Sequence, residues 1–232
     1  MEIALVTGGN TGIGYEVVRQ LAEAGMVVYL GSRDPEKGIA AAAELSGAGD
    51  VRPIYLDLAD RESLGSAIAR IEQEQGRLDL LVNNAGIALP GDTPETIELV
   101  FHTNLHGPVL LTQLCVPLLR RSAAGRVVNV SSGAGQFAFL AGDFLKWNPE
   151  NLHYAYPVSK TALNAATVLL AKALEPEGIR VNACCPGMVS TKLSRMMGKS
   201  PAEGAAIIVS VARMNADGPT GGFFNETGAI DW

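Results

Sequence analysis

Directly after the apolar run Ile3-Ala4-Leu5-Val6, the chain reads Thr7-Gly8-Gly9-Asn10-Thr11-Gly12-Ile13-Gly14 and then turns amphipathic from Tyr15 to Ala22. A strand, a glycine turn and a helix start in that order build a phosphate site. Gly8 can take a tight turn that a Cβ would block. Gly12 lets backbone approach a pyrophosphate, and Gly14 lets the following helix pack close to the strand. The free N–H groups of that helix's first turn, with its dipole, attract an anion. The spacing is G-x-x-x-G-x-G rather than the G-x-G-x-x-G of the general dinucleotide fingerprint. Taken alone, the loop also fits an ordinary glycine-rich turn.

The rest of the chain supplies the context. Short apolar strands are expected at 2–7, 27–31, 51–56, 78–83, 126–131, 179–184 and 221–225, and helices near 13–24, 36–46, 60–75, 95–122, 155–174 and 201–212. Runs such as Leu80-Leu81-Val82 and Val127-Val128 are apolar on both faces, as strands of a covered parallel sheet are. Strand and helix alternate, so the expectation is a doubly wound parallel α/β sheet in three layers, αβα, with residues 1–232 as one domain. Ligands of such sheets sit outside the carboxyl ends of the strands. Six expected strand ends carry small or hydrogen-bonding groups there: Thr7 to Gly14, Gly31-Ser32-Arg33, Asp57-Leu58, Asn83-Asn84-Ala85-Gly86, Ser131-Ser132-Gly133 and Pro186-Gly187.

Composition narrows the function. With 47% hydrophobic and 18% charged residues, the chain can bury a large core. A net charge of −6 without a basic block argues against nucleic acid and against an anionic membrane surface as partners. No apolar run approaches the ~20 residues of a membrane span. Met1-Glu2 leads straight into a strand, so no signal segment is expected and the cytoplasm is the default location. The three cysteines, Cys115, Cys184 and Cys185, form no C-x-x-C and read as structural. His102 and His106 are four apart on an expected helix, but no third ligand stands near them in sequence, and no metal site is expected.

At the end of the second strand, an NAD site places a carboxylate for the ribose hydroxyls, whereas a cation accommodates a 2′-phosphate. Here Ser32 takes the carboxylate's place and Arg33 follows. Asp34 precedes Pro35 and reads as a helix N-cap. The guanidinium of Arg33 suits phosphate, so NADP(H) is expected over NAD(H). Asp57 can accept from an adenine amino group, because Asp60 is the better cap for the next helix. Ala85 and Gly86 leave room for the adenosine ribose, and an Asn beside them can tie neighbouring strands.

Tyr156 and Lys160 lie four apart at the start of a helix, hence on one face. A phenol ionises near 10, and a close ammonium would lower that value and make it an acid/base at neutral pH. An isolated Y-x-x-x-K is more often a surface pair. Tyr154 has only Val158 four residues on.

Together, Thr7-Gly8-x-x-x-Gly12-x-Gly14, Asn83-Asn84-Ala85-Gly86, Ser132, Tyr156-x-x-x-Lys160 and Pro186-Gly187 resemble the classical short-chain dehydrogenase/reductases over essentially the whole chain. Ser32-Arg33-Asp34, Val128-Asn129-Val130-Ser131-Ser132 and the ending from Gly218 to Trp232 are similar to the carbonyl-reductase branch. The resemblance implies a Rossmann fold and NADPH-dependent reduction of a ketone or aldehyde, with a small-molecule carbonyl or alcohol as partner. It implies Tyr156 as acid/base, Lys160 as ribose ligand and tuner of the phenol, and Ser132 as hydrogen-bond partner of the substrate carbonyl. It places Asn104 at a helix irregularity, holding water for a proton relay to Lys160. Gly8, Asn10, Thr11, Gly12, Ile13, Gly14, Ser32, Arg33, Asp57, Leu58, Asn83, Asn84, Ala85, Gly86, Pro186, Gly187, Val189 and Thr191 become the expected cofactor contacts, with Tyr156 and Lys160. Oxidation of a secondary alcohol and cofactor binding without turnover are the rival readings, and the intact Asn104–Ser132–Tyr156–Lys160 set counts against the latter.

Two departures carry expectations of their own. Thr11 stands where carbonyl reductases often have a second basic residue, which leaves Arg33 as the main support for NADP(H). Ser132 and Tyr156 are 24 residues apart, and the aromatic segment between them (Phe137, Phe139, Phe144, Trp147, with Pro149) is expected to fold over the helix face that relatives use for tetramers. A monomer is favoured, with a dimer or tetramer as the alternative. Met188, Met196 and Met197 fit an adaptable apolar pocket or mere core filling.

Overall fold

The structure is a computed structural model that describes residues 1–142, 154–191, 193–194 and 196–232. Its strands are β1 (Ile3–Thr7), β2 (Val27–Ser32), β3 (Val51–Tyr55), β4 (Leu80–Asn83), β5 (Arg126–Val130), β6 (Arg180–Cys184), β7 (Phe223–Asn225) and β8 (Gly228–Ile230). The helices are α1 (Gly12–Glu23), α2 (Pro35–Glu44), α3 (Arg61–Gln75), α4 (Pro94–Phe101), α5 (Gly107–Leu119), α6 (Phe137–Ala141), α7 (Ala155–Leu174) and α8 (Pro201–Ala212). The strands form one sheet in the order β3-β2-β1-β4-β5-β6-β7-β8. All pairings are parallel except β7–β8.

Alternate side chains of each strand divide between two cores, because successive Cβ atoms point to opposite faces. Val6, Leu30, Val82 and Val128 pack with Val17, Val18 and Leu21 of α1 and Ile208 and Val211 of α8. Leu5, Tyr29, Leu81 and Val127 pack with Leu64 and Ile71 of α3 and Leu111 and Leu118 of α5. Burying each such side chain stabilises by roughly 1.5–3 kcal/mol. With both faces covered, β1 and β4 at the centre of the sheet are apolar up to Thr7 and Asn83, and these carboxyl ends become the functional rim.

Local signals set the helix starts. Asp34 accepts the Lys37 N–H with Pro35 in the first turn, and Asp60 accepts the Glu62 N–H at the head of α3. Ser200 and Glu203 make a reciprocal capping box at α8. Two expectations change. The single helix expected over 95–122 is α4 and α5 joined through a π turn at His102–His106. The strand β8 went unanticipated, since three residues after a hairpin are too short to show a period.

Phe137, first of the aromatic segment expected to fold back, is 70% exposed instead, because α6 has no buried face among its five residues. Phe144, Trp147 and Pro149 lie outside the described residues. Met188, Met196 and Met197 are 65%, 65% and 56% exposed, which rules out core filling.

Candidate active site

β1 and β4 are neighbours in the sheet although β2 and β3 intervene in the chain. The strand order reverses there, which opens a crevice at their carboxyl ends. The glycine loop fills its floor, with Gly8 at φ 64° and Gly12 at φ 57°, both in the left-handed region. A Cβ on Gly14 would stand 2.2 Å from the Gly8 carbonyl oxygen, so α1 can lie this close to β1 only with glycine there. Thr11 is the N-cap of α1 and gives no side-chain cap, leaving first-turn N–H groups free for an anion. Ile13 turns its side chain to the core behind the loop, while Asn10 is half-buried beside it.

The neighbouring strand ends meet this loop. The Thr7 hydroxyl accepts N–H bonds from Asn84 (3.0 Å) and Ala85 (2.9 Å), and Asn84 Nδ2 donates to the Thr7 carbonyl at 2.9 Å. Asn84 is thus the expected strand tie. The Thr191 methyl lies 3.4 Å from where a Cβ on Gly12 would sit, so the segment after Pro186 and Gly187 (φ 75°) reaches over the glycine loop. Arg33 is exposed just past β2 and holds no ion pair among the described residues.

Several expected cofactor contacts point elsewhere. Asn83 is buried and donates to Thr112 and Asn129 inside the sheet–helix interface, because its Cβ faces inward in the strand alternation. Ser32 is 2% exposed, and its hydroxyl donates to the Asp34 carbonyl beneath α2. The Leu58 side chain packs where a Cβ on Gly107 would be 2.6 Å away. The Val189 side chain packs against Gly204 of α8 in the same manner. For these four residues, only the backbone is left for the rim. Asp57 is not free as expected: one oxygen accepts the Ala59 N–H at 2.9 Å, although Asp60 does cap α3.

The reacting end is built by α7, the π turn, and the loops after β5 and β6. Tyr156 and Lys160 lie on one face of α7, with Nζ 5.9 Å from the ring centroid. Ser132, beyond β5, stands close enough to the Tyr156 hydroxyl to draw its pKa down, while its own hydroxyl accepts the Ala134 N–H at 3.2 Å. Gly86 comes between Asn104 and Lys160, since a Cβ on it would be 3.4 Å from both Asn104 Oδ1 and Lys160 Nζ. Among the described residues, no group of three His, Cys, Asp or Glu is placed to hold a metal; the His102 and His106 rings meet edge to face at 5.9 Å.

The tuning of Tyr156 differs from the expectation. Burial is the largest influence on the Tyr156 hydroxyl and raises its pKa above 10.0, while Ser132 opposes this more weakly. Lys160 does not lower it in the protein alone, because its ammonium turns to the Val130 carbonyl at 2.8 Å. Burial also brings Lys160 itself down from 10.5 to about 8. Asn104 does sit in a helix irregularity, but its amide is spent on structure. It donates to the Ile87 carbonyl (2.9 Å) and Ser159 hydroxyl (3.0 Å) and accepts the Ile87 N–H at 2.9 Å. Both amide protons are used, so only remaining acceptor capacity on Oδ1 could serve a water.

Cys185 is a site residue the sequence reading passed over. Its sulfur accepts the N–H of Gly133, next to Ser132, at 3.1 Å and that of Gly187 at 3.4 Å. Its position one residue past the end of β6, at the functional rim, was the available signal.

A phosphate-ready glycine loop at a topological switch point, next to a Ser–Tyr–Lys cluster, defines a dinucleotide-dependent oxidoreductase. Residues 2–202 match the family described as short chain dehydrogenase, and the chain belongs to that family. It is 30% identical over 295 residues to salutaridine reductase of Papaver bracteatum, covering 97% of this chain and 94% of the relative. It is 33% identical over 309 residues to (-)-isopiperitenone reductase of Mentha piperita, covering 98% and 97%. Among solved structures, NADPH bound carbonyl reductase from chicken fatty liver superposes with a TM-score of 0.87 at 26% identity, covering 100% of both chains.

Proposed function

We propose that this protein reduces a ketone or aldehyde to an alcohol with NADPH, through Tyr156 as proton donor. The observation that carries this is the grouping of Ser132, Tyr156 and Lys160 at the strand ends that also hold the glycine loop. The cofactor fits the residues present: free first-turn N–H groups of α1 for the pyrophosphate, Arg33 for the 2′-phosphate, and Lys160 for the nicotinamide ribose. NADPH supplies the hydride when bound.

The chain's own groups handle the oxygen. A phenol raised by burial is held protonated, which suits an acid that donates as the carbonyl oxygen gains charge. Ser132 stands beside that hydroxyl and can hydrogen-bond the same oxygen, stabilising the developing oxyanion. Lys160, with a pKa of about 8, exchanges its proton near neutral pH and is placed to restore the phenol through the space over Gly86. The reading includes residues 1–232 as one catalytic unit, monomeric, in the cytoplasm. No helix of the described residues is long and apolar enough to cross a membrane.

The test is a panel of ketones and aldehydes with NADPH and NADH, followed by nicotinamide absorbance, for the wild type and Tyr156→Phe. The variant is expected to lose about 10²–10⁴-fold in kcat with cofactor binding retained. A fully active Tyr156→Phe enzyme, or no turnover of any carbonyl by the wild type, refutes the reading.

A further inference from the structure

The helix that carries Tyr156 and Lys160 starts without a cap of its own. Tyr154 stands at the N-cap position with helical φ −80° and ψ −23° and makes no side-chain cap bond. The first N–H groups of a helix need acceptors from outside it. Here they find one 62 residues back in the chain. The Asp92 carboxylate accepts the Tyr154 N–H at 2.9 Å with one oxygen and the Ala155 N–H at 3.2 Å with the other.

Asp92 is itself held in place. It lies between Gly91, at φ 77°, and Thr93, whose side chain accepts the Thr96 N–H and so caps α4. The Thr96 hydroxyl donates to the Gly91 carbonyl at 3.0 Å, closing the turn around Asp92. The same loop begins with Asn84-Ala85-Gly86, and through Ile87 it is bonded to Asn104, which in turn bonds Ser159 of α7. The loop after β4 therefore reaches the catalytic helix at two points, directly through Asp92 at its first turn and, by way of Asn104 in the π turn, at Ser159 one turn later.

The two points act on different side chains. Tyr156 is the second residue of α7, inside the turn that Asp92 closes. Lys160 is a turn further on, 4% exposed and bonded to Val130. Loosening the first turn displaces the phenol while leaving the ammonium anchored.

We propose that Asp92 is a positioning residue for Tyr156: by capping α7 from the loop after β4, it fixes the phenol relative to Ser132 and to the cofactor rim on the same loop. The inference rests on Tyr156 as the proton donor. Its signature is a loss in kcat without a matching loss in cofactor affinity, which general destabilisation does not produce.

The experiment compares wild type, Asp92→Ala, Asp92→Asn and Tyr156→Phe, with kcat, KM for NADPH, and NADPH affinity by fluorescence at pH 7. Asp92→Ala is expected to lower kcat roughly tenfold, with NADPH affinity within about twofold, since losing a cap loosens the turn by about that equilibrium factor. Asp92→Asn keeps an acceptor oxygen and is expected to recover most of the loss. Where Asp92→Ala fails to fold, Asp92→Asn and Asp92→Ser carry the comparison, with kcat falling in that order. Unchanged kcat in Asp92→Ala overturns the proposal, as does a parallel fall in kcat and NADPH affinity that Asp92→Asn does not repair. An active Tyr156→Phe variant overturns the acid assignment instead, so the two failures are separable.

Discussion

Replacing Lys160 with methionine should make the folded protein more stable while abolishing its catalysis. Lys160 is 4% exposed, and burial lowers its pKa from 10.5 to about 8. At pH 7 the ammonium is thus charged in both states and costs the fold about 3 kcal/mol, taking about 1.36 kcal/mol for each pKa unit. Methionine has similar length and no charge. It forfeits the bond to the Val130 carbonyl, worth about 1 kcal/mol. The net gain is about 2 kcal/mol, or roughly 4–8 °C in Tm for a domain of this size. The sign of the pH dependence follows from the lowered pKa. Between about 8 and 10.5 the folded wild type binds fewer protons than the unfolded chain, so its stability rises with pH across that window. The advantage of Lys160→Met therefore shrinks above pH 8 and is lost near pH 10.5. Calorimetry or denaturant unfolding at pH 7 and pH 9.5 reads this directly. A variant less stable than wild type at pH 7, or a stability difference independent of pH, would show that the buried ammonium is not the strained group described here.

Three further outcomes are expected. Arg33→Ala should lower kcat/KM for NADPH at least about tenfold and leave NADH little changed, because one charge-assisted phosphate contact is worth roughly 1.5–3 kcal/mol; equal losses with both cofactors would remove Arg33 from the 2′-phosphate. Gly14→Ala should abolish NADPH binding in a fluorescence titration despite the ~1 kcal/mol helix-propensity gain of alanine, since its Cβ would stand 2.2 Å from the Gly8 carbonyl; wild-type affinity would contradict the described packing. Light scattering at micromolar concentration should give a mass near 24.3 kDa, and a stable tetramer would overturn the monomer.

The sequence alone determined whatever is written in period, punctuation or short-range spacing. Seven of the eight strands were legible because covered parallel strands are mostly apolar, and the helix starts at Asp34 and Asp60 because capping acts within three residues. The same locality made the glycine loop and the Tyr156–Lys160 pair readable. Tertiary structure decided where side chains face once a strand end is reached. It turned Asn83, Ser32, Leu58 and Val189 inward, since the two-residue alternation and the packing of α2, α5 and α8 fix their Cβ directions. It also decided electrostatics, which depend on surroundings rather than on spacing. The i+4 relation put Lys160 beside Tyr156, but burial set which way each pKa moved, and the ammonium turns to the Val130 carbonyl, 30 residues away. Asp92 gave no local pattern to read, and Cys185 gave only its place just past the end of β6. Their partners at Tyr154, Ala155 and Gly133 lie 52 to 63 residues off, and only the closing of the sheet brings them together.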